Sequence, residues 1–373
     1  MAGINDTLIS LARFRKSRSA GEASTGGTDM PELTGFGDNP GALRMLVYVP
    51  DRLPASAPLV VVLHGCTQTA GAYDAGAGWS TLADRHGFAV LYPEQGRGNN
   101  ANLCFNWFQP EEVARTGGEV QSIRQGVARM VVLHQLDPAR VYITGLSAGG
   151  AMTAAMLATY PEVFAGGAVI AGLPYGTAGS VQGAFEAMFQ GRTRTPHHWG
   201  DLVRDASPHA GPWPKVQVWH GSTDSTVKPS NAEELVKQWG NVLNLQPHPD
   251  VTDTVDGAAH RAWRNARGEV ALEAYLVPGL AHGVPLDTGH TNTDRATGQA
   301  GLYMLEAGIS STWHIAQSWG LLEAQAHAAD QTSTGPAAPP RMDRPKPELP
   351  VVARNSAAVV DKTFPAAGLL GRR

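Results

Sequence analysis

Short apolar runs alternate with helical stretches along the first half of the chain, and this alternation restricts the fold strongly. The continuous apolar runs at 58–63 and 88–92 predict strands that are buried on both faces. Apolar residues at spacings of three and four predict an amphipathic helix over 119–134. Such alternation requires parallel strands joined by right-handed crossovers. We therefore predict an α/β fold with a doubly wound, mostly parallel sheet and helices on both faces.

The same patterns place the remaining elements. The interval 172–214 is rich in glycine, proline and aromatic residues, and we expect it to form a loop-rich cap. Further strands are predicted at 42–49, 141–144, 164–170, 215–220 and 271–277, and further helices at 80–86 and 148–160.

The 373 residues divide into three predicted parts. Residues 1–41 form a leader and linker that we expect to be poorly ordered, and its positive charges follow an apolar patch, the reverse of a secretory signal. Residues 42–329 form the main domain. Residues 330–373 are a proline-rich tail with too few apolar residues to fold alone. No apolar run reaches the roughly 20 residues of a transmembrane helix.

Charge and cysteine content exclude several classes of function. A net charge of −4 is unlike the basic surface that binds nucleic acid, so we expect a neutral or weakly charged substrate. Cys66 and Cys104 are too few for a cysteine metal site, and His197-His198 lacks partner ligands, so no metal or cofactor is expected. Cys66 and Cys104 can pair at one sheet edge or remain two buried thiols, and the oligomeric state stays open.

The segment Gly145-Leu-Ser147-Ala-Gly149 follows a β-branched strand and opens a helix. This context is typical of a nucleophile elbow, where flanking glycines leave room for a sharp turn that exposes the serine. Ser147 is therefore the candidate nucleophile.

A serine nucleophile needs a histidine to accept its proton. In this architecture the histidine comes last in the chain and follows a strand. His282 fits, because it leaves the predicted strand at 271–277. His290 is the nearest rival, whereas His260 precedes that strand.

An acidic residue must fix the tautomer of that histidine. Asp224 lies just beyond the predicted strand at 215–220, while Asp253 and Asp256 lack that context. The alternative for Asp224 is an ordinary turn-capping aspartate.

An oxyanion intermediate needs backbone N–H donors. Ala148, directly after the nucleophile, supplies one, and Cys66 in the loop after the first buried strand supplies the other. Gln68 is a candidate for orienting this loop or contacting substrate, and His64 is interpreted as structural. Trp107, Tyr175 and Trp199 either line an acyl pocket or belong to the core.

Four motifs together resemble the catalytic domains of polyhydroxybutyrate depolymerases, which are related to feruloyl and acetylxylan esterases of the α/β-hydrolase family. They are Leu-His-Gly-Cys-Thr-Gln-Thr at 63–69, Cys-Phe-Asn-Trp-Phe at 104–108, Gly-Leu-Ser-Ala-Gly-Gly at 145–150 and His-Gly-Ser-Thr-Asp at 220–224.

The resemblance implies a serine esterase that acts on poly- or oligo(3-hydroxyalkanoate) esters, with Ser147, Asp224 and His282 as the triad. It also implies an extracellular protein, although no secretory signal is visible and a cytoplasmic location is the alternative. Two other functions remain open, a feruloyl or acetylxylan-type carbohydrate esterase and a non-catalytic α/β-hydrolase-fold binding protein. A peptidase is less compatible with the motifs around Cys66 and Trp107.

Overall fold

The computed structural model describes residues 30–289 and 295–322. Strands in this part of the chain form one large sheet and a small two-stranded one. The strands are β1 (Arg44–Tyr48), β2 (Leu59–Leu63), β3 (Ala89–Glu94), β4 (Val141–Leu146), β5 (Gly166–Ile170), β6 (Lys215–Gly221), β7 (Val251–Val255), β8 (Ala258–Arg264), β9 (Val270–Val277), β10 (Val284–Leu286) and β11 (Met304–Glu306).

The large sheet has the strand order β1-β3-β2-β4-β5-β6-β9-β8-β7. Its six central strands, from β3 to β9, run parallel. The edge strands β1 and β7, and β8 beside β7, pair antiparallel with their neighbours. The prediction of a doubly wound, mostly parallel α/β fold is therefore confirmed.

Helices cover both faces of this sheet. Apolar side chains of β2 alternate between two separate cores, with Val61 in one and Val60 in the other, as a strand buried on both faces requires. The described helices are α1 (Ala70–Ala77), α2 (Trp79–His86), α3 (Gly118–His134), α4 (Ala148–Thr159), α5 (Val181–Gln190), α6 (Pro196–Arg204), α7 (Ser230–Val242) and α8 (Ser311–Ser318), with a 3-10 turn at Pro161–Val163.

The structure differs from the sequence expectations in two regions. The interval 172–214, expected to be loop-rich, contains α5 and α6. The strands β7 and β8 form an antiparallel hairpin that the apolar patterns did not indicate. Its strand β7 is largely exposed, so it lacks the continuous apolar run of a buried strand.

The predicted leader and linker, 1–41, lies mostly outside the described residues. Its last part does not behave as a free linker, because the Leu33 N–H donates to the Met45 carbonyl (2.7 Å) and Leu33 is buried. The packed domain thus begins before residue 42. The predicted tail, 330–373, lies outside the described residues. Within the described ranges, the helices lack the length and apolar character needed to cross a membrane.

Candidate active site

Three of the predicted site residues follow the carboxyl ends of parallel strands. Ser147 comes directly after β4, Asp224 lies in the loop after β6, and His282 lies in the loop after β9. Parallel strands bring their carboxyl ends to one edge of the sheet, where ligands bind in open α/β folds. The Ser147 N–H donates to the carbonyl of Ile170 at the end of β5 (2.9 Å), which fixes the serine at this edge.

Ser147 lies in a strained turn between β4 and α4. Its backbone has φ 58° and ψ −117°, an uncommon conformation for a residue with a side chain. A Cβ atom on Gly145 would lie 2.5 Å from the Gly149 backbone, and one on Gly149 would lie 2.3 Å from the Leu63 carbonyl oxygen. Both positions therefore require glycine. The turn places the serine at the N-terminus of α4, whose partial positive charge favours an oxyanion.

Asp224 and His282 form a direct hydrogen bond. The Nδ1 atom of His282 lies 2.7 Å from Oδ2 of Asp224, and the aspartate side chain is fully buried. The other carboxylate oxygen accepts the backbone N–H groups of Thr226 and Val227, both at 2.8 Å. Because an ionised carboxylate can only accept, the proton lies on Nδ1 of His282. This tautomer leaves Nε2 of His282 as a proton acceptor.

A second histidine, His220, helps to keep Asp224 ionised. Its Nε2 atom donates to the Val227 carbonyl (2.8 Å) and lies 3.4 Å from Oδ2 of Asp224. Burial alone would raise the pKa of Asp224, but hydrogen bonds from His220, His282 and the Val227 N–H hold that pKa well below its ordinary value. In the sequence His220 ends a predicted strand and begins the motif at 220–224, and neither position marks it as a partner of Asp224.

The loop after β2 is folded by its own polar groups. Oε1 of Gln68 accepts the Gly65 N–H at 2.8 Å, and the Gln68 N–H donates back to the Gly65 carbonyl. Thr67 has a positive φ of 65°, and its N–H donates to the Asn102 carbonyl. Gln68 therefore orients the loop that carries the Cys66 amide.

His64 anchors the start of the same loop. Its Nε2 atom accepts the Gln95 N–H (3.1 Å), so Nδ1 carries the proton and donates to the Gly65 carbonyl (2.8 Å). Burial lowers the pKa of His64, and both ring nitrogens are engaged. The side chain thus has a structural role.

A disulfide joins this loop to the loop at 104–108. The sulfur atoms of Cys66 and Cys104 are bonded at 2.07 Å, and their Cα atoms lie 4.2 Å apart. The bridge fixes the backbone of Cys66, the candidate oxyanion donor, against the loop that carries Trp107.

Glu119, at the start of α3, holds the loop at 104–108 in place through hydrogen bonds to Asn106. Its carboxylate accepts hydrogen bonds from Gln95 Nε2 (2.5 Å), the Asn106 N–H (2.9 Å) and Asn106 Nδ2 (2.8 Å). Burial raises the pKa of Glu119 to about 8 against the effect of these donors. From the sequence alone Glu119 is only the first residue of a predicted amphipathic helix, because its burial depends on residues distant in the chain.

The three candidate pocket aromatics are in different environments. Trp199 is fully buried and donates from Nε1 to Glu234 Oε2 (2.7 Å), so it belongs to the core. Trp107 is 9% exposed and packs edge-on against Phe108. Tyr175 is partly buried and packs against the apolar core that contains Trp107. Trp107 and Tyr175 remain candidate pocket residues.

The histidines and aspartates considered as alternatives to His282 and Asp224 have other partners where the structure describes them. His260 is bonded to Asp253 (2.7 Å), and Asp256 accepts a hydrogen bond from His314 (2.8 Å) at the hairpin of β7 and β8. His290 lies outside the described residues.

His197 lies 2.6 Å from Asp201 in an exposed pair on α6. This contact gives one of the two adjacent histidines an aspartate partner one turn away on the same helix.

A mostly parallel sheet with a strained glycine-flanked serine between strand and helix defines an α/β-hydrolase. Comparison with known proteins identifies the family. The family model described as esterase PHB depolymerase matches residues 43–270, and the chain belongs to this family.

Several relatives are similar over most of the chain. Poly(3-hydroxyalkanoate) depolymerase C of Paucimonas lemoignei is 49% identical over 79% of this chain and 70% of that protein. Feruloyl esterase B of Thermothelomyces thermophilus is 34% identical over 68% of this chain and 88% of that protein. Acetylxylan esterase of Coprinopsis cinerea is 36% identical, covering 69% of each.

A solved structure agrees with these relationships. The acetyl xylan esterase from Aspergillus awamori superposes with a TM-score of 0.63 at 30% identity, covering 68% of this chain and 93% of that one. The protein is therefore a carboxylic ester hydrolase with an α/β-hydrolase fold.

Proposed function

We propose that the protein hydrolyses poly- or oligo(3-hydroxyalkanoate) esters through an acyl-enzyme, with Ser147, His282 and Asp224 as its catalytic triad. The observation that carries the triad is the 2.7 Å bond between His282 and the buried Asp224, at the sheet edge that holds the Ser147 turn. The polyester class is supported by the 49% identity to a poly(3-hydroxyalkanoate) depolymerase.

In the first half of the reaction, Oγ of Ser147 attacks the ester carbonyl carbon while Nε2 of His282 takes the hydroxyl proton. Asp224 holds the imidazole in the required tautomer and stabilises the imidazolium that forms. The tetrahedral intermediate places its negative charge on the former carbonyl oxygen. Collapse expels the alcohol end of the substrate, which takes the proton from His282, and leaves an ester on Ser147.

In the second half, water attacks this acyl-enzyme and gives its proton to Nε2 of His282. When the second tetrahedral intermediate collapses, its bond to Oγ of Ser147 breaks, Nε2 of His282 gives the proton to that oxygen, and the carboxylic acid is released. Both intermediates need the same stabilisation. The N–H groups of Ala148, at the start of α4, and of Cys66, in the bridged loop, supply it in this proposal.

A second candidate substrate class is a feruloyl or acetyl group on a carbohydrate. It is favoured by the acetylxylan esterase structure with a TM-score of 0.63 and by relatives at 34% and 36% identity. The depolymerase has the higher identity, so we place the polyester class first.

A substrate panel tests both parts of the proposal. We expect Ser147→Ala to reduce p-nitrophenyl butyrate hydrolysis by at least about 10⁴-fold with unchanged circular dichroism. Ser225→Ala, which removes an exposed hydroxyl of the same sheet edge, is the matched control with retained activity. Activity of Ser147→Ala near that of the parent refutes the nucleophile. The parent enzyme is then compared on 3-hydroxybutyrate oligomers, methyl ferulate and acetylated xylan, and a preference for methyl ferulate or acetylated xylan refutes the polyester class.

We also propose an oxidising, extracellular setting. Structural disulfides persist in such compartments and are rare in the cytoplasm. The Cys66–Cys104 bridge therefore supports an extracellular setting. Thiol alkylation of the native protein should label neither cysteine until a reductant is added. Labelling of both thiols in freshly collected protein would contradict the extracellular setting.

A further inference from the structure

Large exposed apolar side chains gather near the loops of the candidate site. Among the described residues, six large apolar side chains are exposed, and three of these six lie on α5 or in the loop before β11, two segments that are bonded to the Asp224 loop or the His282 loop. They are Val181, Phe185 and Leu302.

We propose that Val181, Phe185 and Phe189 on α5, together with Leu302, form a docking surface for a water-insoluble, uncharged polyester chain. We call this surface the apolar rim. The inference rests on the proposed function and adds a site for the polymer outside the reacting groups.

The α5 part of the apolar rim is a stripe along one helix face. Val181, Phe185 and Phe189 are spaced by four residues, so their side chains lie above one another. Val181 is 57% exposed and Phe185 41% exposed, and the rings of Phe185 and Phe189 lie parallel with centroids 6.0 Å apart. Ala184 and Ala187 occupy the buried face. The helix is therefore held by one face and presents the stripe on the other.

Helix α5 is attached directly to the loop that carries the candidate acid. The Lys228 N–H donates to the Met188 carbonyl at 2.9 Å, four residues beyond Asp224. Asn231, at the start of α7, donates from Nδ2 to the Ala187 carbonyl at 3.1 Å. A chain lying on the stripe would thus border the Asp224 loop.

Leu302 extends the rim beside the candidate base. It is 62% exposed and immediately precedes Tyr303, whose ring packs edge-on to His282 with centroids 6.0 Å apart. The Tyr303 carbonyl also accepts the N–H of Val284, which lies two residues after His282. The apolar rim therefore borders both loops that hold the Asp–His pair.

The charge pattern of α5 favours a neutral partner. Its one charged side chain, Glu186, is bonded to Arg192 at 2.8 Å, so the helix offers no free charge. A polyester bears apolar side groups and only weak ester acceptors, so it can cover the stripe without leaving a charge desolvated.

Adsorption to polymer particles tests this proposal independently of catalysis. All proteins carry Ser147→Ala so that binding is measured without hydrolysis, and the probe is a suspension of poly(3-hydroxybutyrate) granules. We expect the triple change Val181→Ser, Phe185→Ser and Phe189→Ser to weaken adsorption roughly tenfold or more. The pair Val132→Ser and Leu133→Ser is the matched control, because these exposed apolar residues lie on α3, and its adsorption should be unchanged.

A second measurement uses the same surface changes with Ser147 intact. Hydrolysis of soluble p-nitrophenyl butyrate should stay within about twofold of the parent while granule degradation falls. Unchanged adsorption in the triple variant, or an equal loss in the control pair, overturns the proposal. A parent dimer that the triple variant converts to a monomer, seen by sedimentation, also overturns it, since a second copy would then occupy the stripe. Failure of the proposed function would appear separately, as a parent protein that adsorbs to the granules without degrading them or that prefers methyl ferulate or acetylated xylan to 3-hydroxybutyrate oligomers.

Discussion

Removal of the disulfide between Cys66 and Cys104 gives a prediction whose size follows from the chain itself. The bridge closes a loop with a sequence separation of 38 residues. Loop closure of this length removes about 13 cal/mol/K of entropy from the unfolded chain, which is about 3.9 kcal/mol at 25 °C. We expect Cys66→Ala with Cys104→Ala to lower the free energy of unfolding by about this amount.

Equilibrium urea unfolding of the parent, both single variants and the double variant measures the effect. Each single change already breaks the bridge, so each should cost about as much as both together. Addition of a reductant should destabilise the parent and leave the double variant unchanged, which provides the control.

The same variants should lose activity. The Cys66 amide is the proposed oxyanion donor, and a loop freed from the bridge holds it less precisely, so kcat on p-nitrophenyl butyrate should fall by roughly 10-fold or more. A double variant within about 1 kcal/mol of the parent, or two single effects that add, would refute the role of the bridge.

Three further changes probe the site and its support. Asp224→Asn should lower kcat by about 10⁴-fold, because an amide favours the wrong tautomer of His282, and steady-state ester hydrolysis measures this. Glu119 has a folded-state pKa of about 8, raised above its ordinary value, so its contribution to stability is full below about pH 4.5 and is lost as the pH rises through 8. Chemical unfolding across this range should show the decline, and Glu119→Gln, which cannot ionise, should lack it; a slope retained in that variant would contradict the assignment. Gly149→Ala should cost about 2–4 kcal/mol in thermal or urea unfolding, because its Cβ would lie 2.3 Å from a carbonyl oxygen. Gly240→Ala, whose Cβ has nothing nearer than 4.0 Å, should be neutral or stabilising, and equal losses at both positions would argue against the steric explanation.

Local patterns were sufficient for the central strands and for the serine turn. The strand at 141–146 is buried on both faces, so it appears in the sequence as an apolar run. The helix after it appears as an alanine-rich segment, and the close backbone approach at Gly149 requires the glycine that joins the two. The hairpin of β7 and β8 was missed although Asp256-Gly257 is a typical two-residue turn, with φ of 45° and 83°. Because β7 is largely exposed, the residues before this turn lack the apolar run that predicts a buried strand.

Long-range contacts explain what the sequence could not give. Glu119 appears as an ordinary first-turn carboxylate, and only the folded loop brings Gln95 and Asn106 onto it. His220 likewise contacts Asp224 only because the chain turns between the two residues. Such roles depend on three-dimensional neighbours and leave no periodic pattern in the chain.

Labelling with a fluorophosphonate probe tests the central claim, that Ser147 is the activated nucleophile of an Asp–His–Ser triad. The probe reacts with a serine whose proton is taken by a neighbouring base, and mass spectrometry of the digested protein locates the adduct. We predict one adduct per chain, on the peptide that contains Ser147, and none in the Ser147→Ala protein. A folded parent protein that forms no adduct, or forms it on another serine, would contradict the assignment.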